Sequence, residues 1–163
     1  MKISNFKFQI SNKKGFTLIE LLVVIAIIGI LATLLMSNFI GIRQRARDGK
    51  RKSDISQLQA ALEQYRADNG SYYTGALTCG SQFSITNGSN QTIIYMKTVP
   101  CDPLEQSGQN TYNNGSYAYY SDGSIYDIGA CLENSSDPQG TTNPPQGGSG
   151  TCSTNTYFIV NNP

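Results

Sequence analysis

Residues 13–32 read KKGFTLIELLVVIAIIGILA, and the carboxylate of Glu20 sits inside an apolar run that begins at Phe16. A charge at the centre of a bilayer costs roughly 2.5–3.5 kcal/mol on insertion scales, so an intramembrane carboxylate ordinarily has a partner and a purpose. The run continues to Met36, broken only by Thr17, Glu20, Gly29 and Thr33. As a helix it would be about 32 Å long, enough to span the hydrocarbon layer. Burying it as a core helix instead would need an unusually large domain around it, and the whole chain has 163 residues. Membrane insertion is the expectation.

The net charge of +1 conceals an asymmetry. Residues 1–15 carry four lysines and no acid. Residues 41–66 carry Arg43, Arg45, Arg47, Lys50, Arg51, Lys52 and Arg66 against Asp48, Asp54 and Glu63, which leaves +4. Residues 67–163 carry Lys97 against seven acids, −6. The chain is basic near the apolar run and acidic far from it. Histidine is absent, which removes His-based triads, His-ligated metals and the usual general base near neutral pH. With no nucleophile and base pair apparent, nothing positive supports an enzyme. Cys79, Cys101, Cys131 and Cys152 lie far apart with no C-x-x-C. That spacing suits two disulfides in an oxidising, extracytoplasmic compartment better than a zinc or redox site.

Beyond the apolar run, Ile55, Leu58, Leu62 and Tyr65 recur at helical spacing among polar neighbours, the mark of a helix with one buried stripe. No proline interrupts residues 16–67. A single helix over residues 16–66, roughly 77 Å at the standard rise, is therefore expected, with Gly29, Gly41 and Gly49 as candidate bends. Asp68-Asn69-Gly70-Ser71 supplies the chemistry that ends it. After Gly70 short apolar alternations predict strands over 92–97, 116–120, 124–131 and 156–160. Ser121-Asp122-Gly123-Ser124 joins the middle two as a hairpin turn. Residues 133–150 contain no apolar residue but three prolines, and are expected to form a loop. A bridge between Cys131 and Cys152 would close about 22 residues and stabilise the head by about 3 kcal/mol on the chain-entropy model. That pair, with Cys79 to Cys101, is favoured, although three pairings are open. The fold class expected is α+β: one long N-terminal helix packed against a small antiparallel β-sheet, with a disulfide-stapled C-terminal loop region.

An ordinary secretory signal is cut after its apolar stretch. Here the marked junction, Lys13-Lys14-Gly15-Phe16, precedes it. The stretch KKGFTLIELLVVIAIIGILA closely resembles the class III signal of type IV pilins and type II secretion pseudopilins. The resemblance continues through ADNGSYY, ending at Tyr73. Val99-Pro100-Cys101-Asp102-Pro103 and the hairpin after it are similar to the C-terminal part of major pseudopilins. This resemblance implies a pilin-like fold divided into a leader (1–15), a transmembrane and assembly half-helix (16–40), an amphipathic half-helix (41–70) and a globular head (71–163). It implies cleavage between Gly15 and Phe16 by a prepilin peptidase, N-methylation of Phe16, and pairing of Glu20 with the N-terminal ammonium of a neighbouring subunit during assembly. Many members carry a proline in the second half of the apolar helix, where this chain reads Met36-Ser37-Asn38-Phe39-Ile40-Gly41.

The function implied is structural. A membrane-inserted, single-pass precursor with its head outside would be drawn by an inner-membrane assembly platform into a helical homopolymer, an extracellular filament. Six basic residues between Arg43 and Lys52 oppose that topology on the positive-inside rule, and the cysteines and the resemblance support it. A type IV pilus subunit is the first expectation, because the long C-terminal loop and Tyr-rich strands offer variable outer surface. A major pseudopilin of type II secretion is the second. A minor pilin that captures DNA through RQRARDGKRK is the third. No cofactor is expected, except for a calcium site considered at Asp122, Asp127 and Glu133, with Asp137 beside them.

Overall fold

The computed structural model of the protein describes residues 15–88, 90–104 and 112–162, with the backbone alone for 34–38. Of the leader expected over 1–15, all but Gly15 lies outside the described residues. A single helix, α1 (Leu18–Asn69), dominates the chain, and the candidate bends Gly29, Gly41 and Gly49 all fall within its helical span. It ends where Gly70 takes a left-handed conformation at φ 75° and donates its N–H to the Arg66 carbonyl at 2.8 Å. Such a cap satisfies a carbonyl that the helix itself leaves open, and glycine meets no Cβ penalty there.

The chain divides into two compact units, Met1–Phe39 and Ile40–Pro163. In the first, each large apolar side chain described from Phe16 to Leu31 is uncovered, from 48 % exposed at Val24 to 89 % at Phe16. Thr33 does not add polarity to this surface, since its hydroxyl donates to the Ile30 carbonyl at 2.7 Å. Among the described residues no helix is long and apolar enough to cross a membrane; described side chains of the apolar stretch stop at Thr33.

The second unit holds the core. Ile55, Leu58, Ala61 and Leu62 are buried on one face of α1, with Tyr65 partly buried beside them. Against this stripe pack Tyr72, Leu77, Phe83, Tyr95, Val99, Tyr117, Tyr126, Ile128 and Ala130. The rings of Tyr65, Tyr73, Phe83 and Tyr95 meet at centroid separations of 5.0–5.6 Å, within the range where edge and tilted contacts add to burial.

Two antiparallel sheets cover the stripe rather than one. β1 (Phe83–Thr86) pairs with β2 (Thr92–Met96). The second sheet has the order β3-β4-β5, from β3 (Ala118–Ser121), β4 (Tyr126–Cys131) and β5 (Tyr157–Asn161). The hairpin between β3 and β4 turns at the expected place: Asp122 Oδ1 accepts the N–H groups of Ser124 and Ile125 at 2.8 and 2.9 Å. β1 is the strand absent from the sequence expectation. Its four residues lie between polar, turn-forming segments and show too little alternation to stand out, and it is Phe83, buried in the aromatic cluster, that holds it in place.

Disulfides join Cys79 to Cys101 and Cys131 to Cys152. The second spans the loop after β4, which also pairs with β5 through a bridge between Thr141 and Tyr157. Gly129 lets this loop lie on the sheet: a Cβ there would fall 2.8 Å from the Phe158 carbonyl oxygen and 2.9 Å from Pro145 Cβ. Replacing the fully buried Leu58 by alanine is expected to cost the head about 2–5 kcal/mol in a denaturant melt. Ala60→Ser, on the exposed face of the same turn, should stay within about 0.5 kcal/mol of the parent.

Candidate functional site

Two groups of polar residues stand out along α1, one at its start and one on its amphipathic half. At its start, Gly15, Phe16 and Thr17 are non-helical and exposed. Thr17 donates both its N–H and its hydroxyl to Glu20 Oε2, at 2.8 and 2.7 Å, while Glu20 N–H donates to Thr17 Oγ1 at 3.3 Å. This reciprocal pair is a capping box, which satisfies donors that the first turn of a helix leaves open. Its signature, a Thr followed three residues later by Glu, is legible in TLIE, although the resemblance implied for Glu20 only a partner in a neighbouring subunit. In the single chain Thr17 is the partner that the carboxylate requires.

The second group lies on the amphipathic half of α1. Arg51 is 2 % exposed and engages three carboxylates. Its Nε and Nη2 grip Asp102 in a two-point fork at 2.6 and 2.9 Å, and Nη1 donates to Asp48 Oδ1 and Glu133 Oε1, both at 2.7 Å. One turn earlier Arg47 makes its own fork to Glu133 at 2.7 and 2.5 Å. Asp48 in turn accepts the backbone N–H groups of Glu133 and Asn134 at 2.9 and 2.8 Å, and Asp102 accepts that of Leu104 at 2.9 Å. Lys52 reaches Asp137 at 2.7 Å and Gln139 at 2.9 Å. Lys50 pairs with Asp54, whose Oδ2 accepts the Tyr117 hydroxyl at 2.8 Å. One stretch of helix is thereby clasped to the segments that follow Cys101 and Cys131.

The electrostatics follow from this geometry. Burial by itself favours neutral Arg51, but its hydrogen bonds and charge contacts with Asp102, then those with Glu133 and Asp48, more than offset it and raise its pKa. Burial likewise opposes charge on Glu133, and the guanidinium groups of Arg47 and Arg51 win, lowering its pKa. The same balance, with the Lys52 ammonium and the Gln139 N–H as donors, lowers Asp137. Tyr117 is pushed well above the ordinary phenol range, first by burial and then by donating to Asp54.

These contacts bear on two sequence expectations. Four bases of RQRARDGKRK, namely Arg47, Lys50, Arg51 and Lys52, are paired with carboxylates, so most of the charge suited to DNA phosphates is already neutralised. The acids considered for calcium are not gathered: Glu133 faces Arg47 and Arg51, Asp137 faces Lys52, Asp122 caps the hairpin turn, and Asp127 Oδ2 accepts the Gln146 N–H at 2.9 Å. Among the described residues no group of three or more His, Cys, Asp or Glu is placed to hold a metal ion.

The helix-and-clasp arrangement has a family context. A prokaryotic N-terminal methylation motif matches residues 10–36, and the family described as type II secretion system (T2SS), protein G, matches residues 38–135. The chain belongs to the type II secretion system protein G family. Its curated relatives include the type II secretion system core protein G of Escherichia coli (strain K12), 38 % identical over 89 residues, which are 55 % of this chain and 54 % of that one. The protein of the same name from Aeromonas hydrophila is 46 % identical over 100 residues, 58 % of this chain and 70 % of that one. The type IV wide pilus major component of Thermus thermophilus is 49 % identical over 61 residues, 37 % of this chain and 47 % of that one. The match thus spans about half the length of the Escherichia coli protein. No solved structure matches the chain. Protein G membership favours the pseudopilin expectation over the pilus one that was placed first. The relatives' printed names describe a core protein of a secretion system and a major component of a pilus.

Because Glu133 and Asp137 have lowered pKa values when folded, the unfolded chain binds more protons in acid. Their contribution is complete above the ordinary carboxylate range and is lost as the pH falls through about 4 toward the folded values. Thermal melts are expected to drop over that window, and Glu133→Gln should flatten the drop. An equal slope in parent and variant would remove Glu133 from the account.

Proposed function

We propose that the chain is the precursor of the major subunit of a type II secretion pseudopilus. The observation that carries this reading is the order of two matches in one chain, a methylation motif over residues 10–36 followed by protein G over 38–135. A prepilin peptidase hydrolyses the Gly15–Phe16 peptide bond, leaving a carboxylate on the leader and a free ammonium on Phe16, which is then N-methylated. The exposure of both residues ahead of α1 is consistent with access for such an enzyme.

Before assembly the apolar stretch anchors the precursor in the cytoplasmic membrane, with the disulfide-bridged head outside. A helix that is apolar on every side must be covered by lipid or by other helices. Polymerisation exchanges the first for the second, and the partner copies supply what the single chain lacks. Glu20 then changes partner. Its contacts in the single chain are to a neutral hydroxyl and an N–H of Thr17, whereas the Phe16 ammonium of a neighbouring copy offers a charge-assisted bond in a low-dielectric bundle. An open, heterologous contact of this kind propagates as a helical filament. A type IV pilus subunit is the second reading, supported by the likeness to the Thermus thermophilus wide pilus component.

Mass spectrometry of the native mature protein should find a chain that begins at methylated Phe16. An intact Met1 terminus in that fraction would contradict the proposal. Glu20→Ala is expected to be processed but poorly assembled, and normal filaments from it would remove the role given to Glu20. Deletion of the gene should abolish secretion of folded exoproteins and leave surface pili in place; the reverse pattern would favour the pilus.

A further inference from the structure

The basic run of α1 is covered in the folded head by acids, two of which stand beside bridged cysteines in the chain. Asp102 directly follows Cys101, and Glu133 lies two residues after Cys131. Leu132 between them is fully buried, and Asp48 holds the backbone at Glu133 and Asn134, so the loop enters the clasp in one register. Taken alone, residues 43–54 carry six bases against Asp48 and Asp54, a charge of +4. Asp102, Glu133 and Asp137, brought from the head, reduce it to +1. The three incoming acids therefore cancel most of a cluster that, with the head undocked, would face outward along one segment of helix.

We propose that the clasp is a mask set during maturation: until the two disulfides close, residues 43–52 bind the anionic headgroups of a lipid bilayer, and docking of the head releases that hold. The inference rests on the reading of residues 16–36 as a membrane-inserted stretch, since that places the run a few residues along the chain from the headgroup layer. A polybasic segment in that position is attracted to an anionic leaflet and falls off it once neutralised. Each bridge closes when two thiols give up two electrons and two protons to the disulfide of a thiol–disulfide oxidant, which departs as a dithiol. The consequence is an order of events. A subunit with an unfinished head stays on the membrane surface, and a finished one presents a nearly neutral helix to the assembly.

Residues 40–163 form a compact unit that contains both apolar clusters and both disulfides, so this fragment tests the idea apart from the apolar stretch. The probe is sedimentation with phosphatidylcholine vesicles, with or without phosphatidylglycerol. The oxidised parent should bind neither. Reduction by a dithiol should raise binding to the phosphatidylglycerol vesicles by about a hundredfold, since each uncovered base contributes about fivefold and three acids leave. The gain should disappear in high salt. Glu133→Gln/Asp137→Asn, with its disulfides closed, should gain about thirtyfold with no reductant at all. Arg47→Gln/Lys52→Gln should blunt the gain on reduction.

Equal binding to vesicles with and without phosphatidylglycerol would overturn the proposal, as would an oxidised Glu133→Gln/Asp137→Asn fragment that melts cooperatively and gains nothing. Salt-sensitive binding to duplex DNA with none to phosphatidylglycerol would also overturn it. None of these outcomes depends on how the N-terminus is processed, so a mature chain that begins at Met1 would sink the pseudopilin reading and leave the vesicle result standing.

Discussion

The fork between Arg51 and Asp102, with Asp48 and Glu133 completing the coordination of the guanidinium, is the contact on which the head depends. Burying an ion costs several kcal/mol, and attraction repays it only where the geometry is good and the remaining donors and acceptors are satisfied. Here the carboxylates also accept backbone N–H groups from residues 104, 133 and 134, so the cluster fixes loop positions as well as charge. The apolar stripe of Ile55, Leu58 and Leu62 lies one to three turns further along α1 and supplies burial that is not directional. The clasp supplies the register, telling each disulfide-tethered segment where on the helix to dock.

This division of labour suits a filament subunit. Within Ile40–Pro163, α1 satisfies its buried face with the head of its own chain. The described residues of the preceding unit have uncovered apolar side chains and a carboxylate held by Thr17 alone. The first association is complete in the single chain, and the second leaves its described apolar side chains uncovered. Protein G family membership gives that incompleteness its setting, a multi-subunit assembly.

How much of this was legible in the sequence depended on the distance over which each signal acts. Local signals read well. The spacing of Ile55, Leu58, Leu62 and Tyr65 marked the buried stripe, Asn69-Gly70 marked the helix end, and Asp122-Gly123 marked the hairpin. The capping box is equally local, but in TLIE it is overlaid by an apolar run in which Glu20 reads first as a membrane charge. Among the longer-range contacts the two disulfides formed as favoured, but the ion pairs across the head did not read. Arg51 finds Asp102 and Glu133 from 51 and 82 residues away, so a run that a linear reading presents as a solvated or DNA-binding patch is, in three dimensions, the interior of a salt-bridged cluster. Of the acids considered for calcium, Glu133 and Asp137 face bases of the helix, while Asp122 and Asp127 accept N–H groups of the hairpin turn and of Gln146. β1 was too short to show its alternation, and its buried anchor, Phe83, declares itself only when the aromatic cluster is assembled.

A double-mutant cycle tests most directly whether Arg51 and Asp102 act together to lock the helix to the head. Unfolding free energies of the oxidised parent, Arg51→Gln, Asp102→Asn and the double variant would be compared at neutral pH. The two losses are expected to be strongly non-additive, with a coupling above about 1 kcal/mol, as residues sharing one network show. Losses that simply add, within about 0.5 kcal/mol, would contradict it.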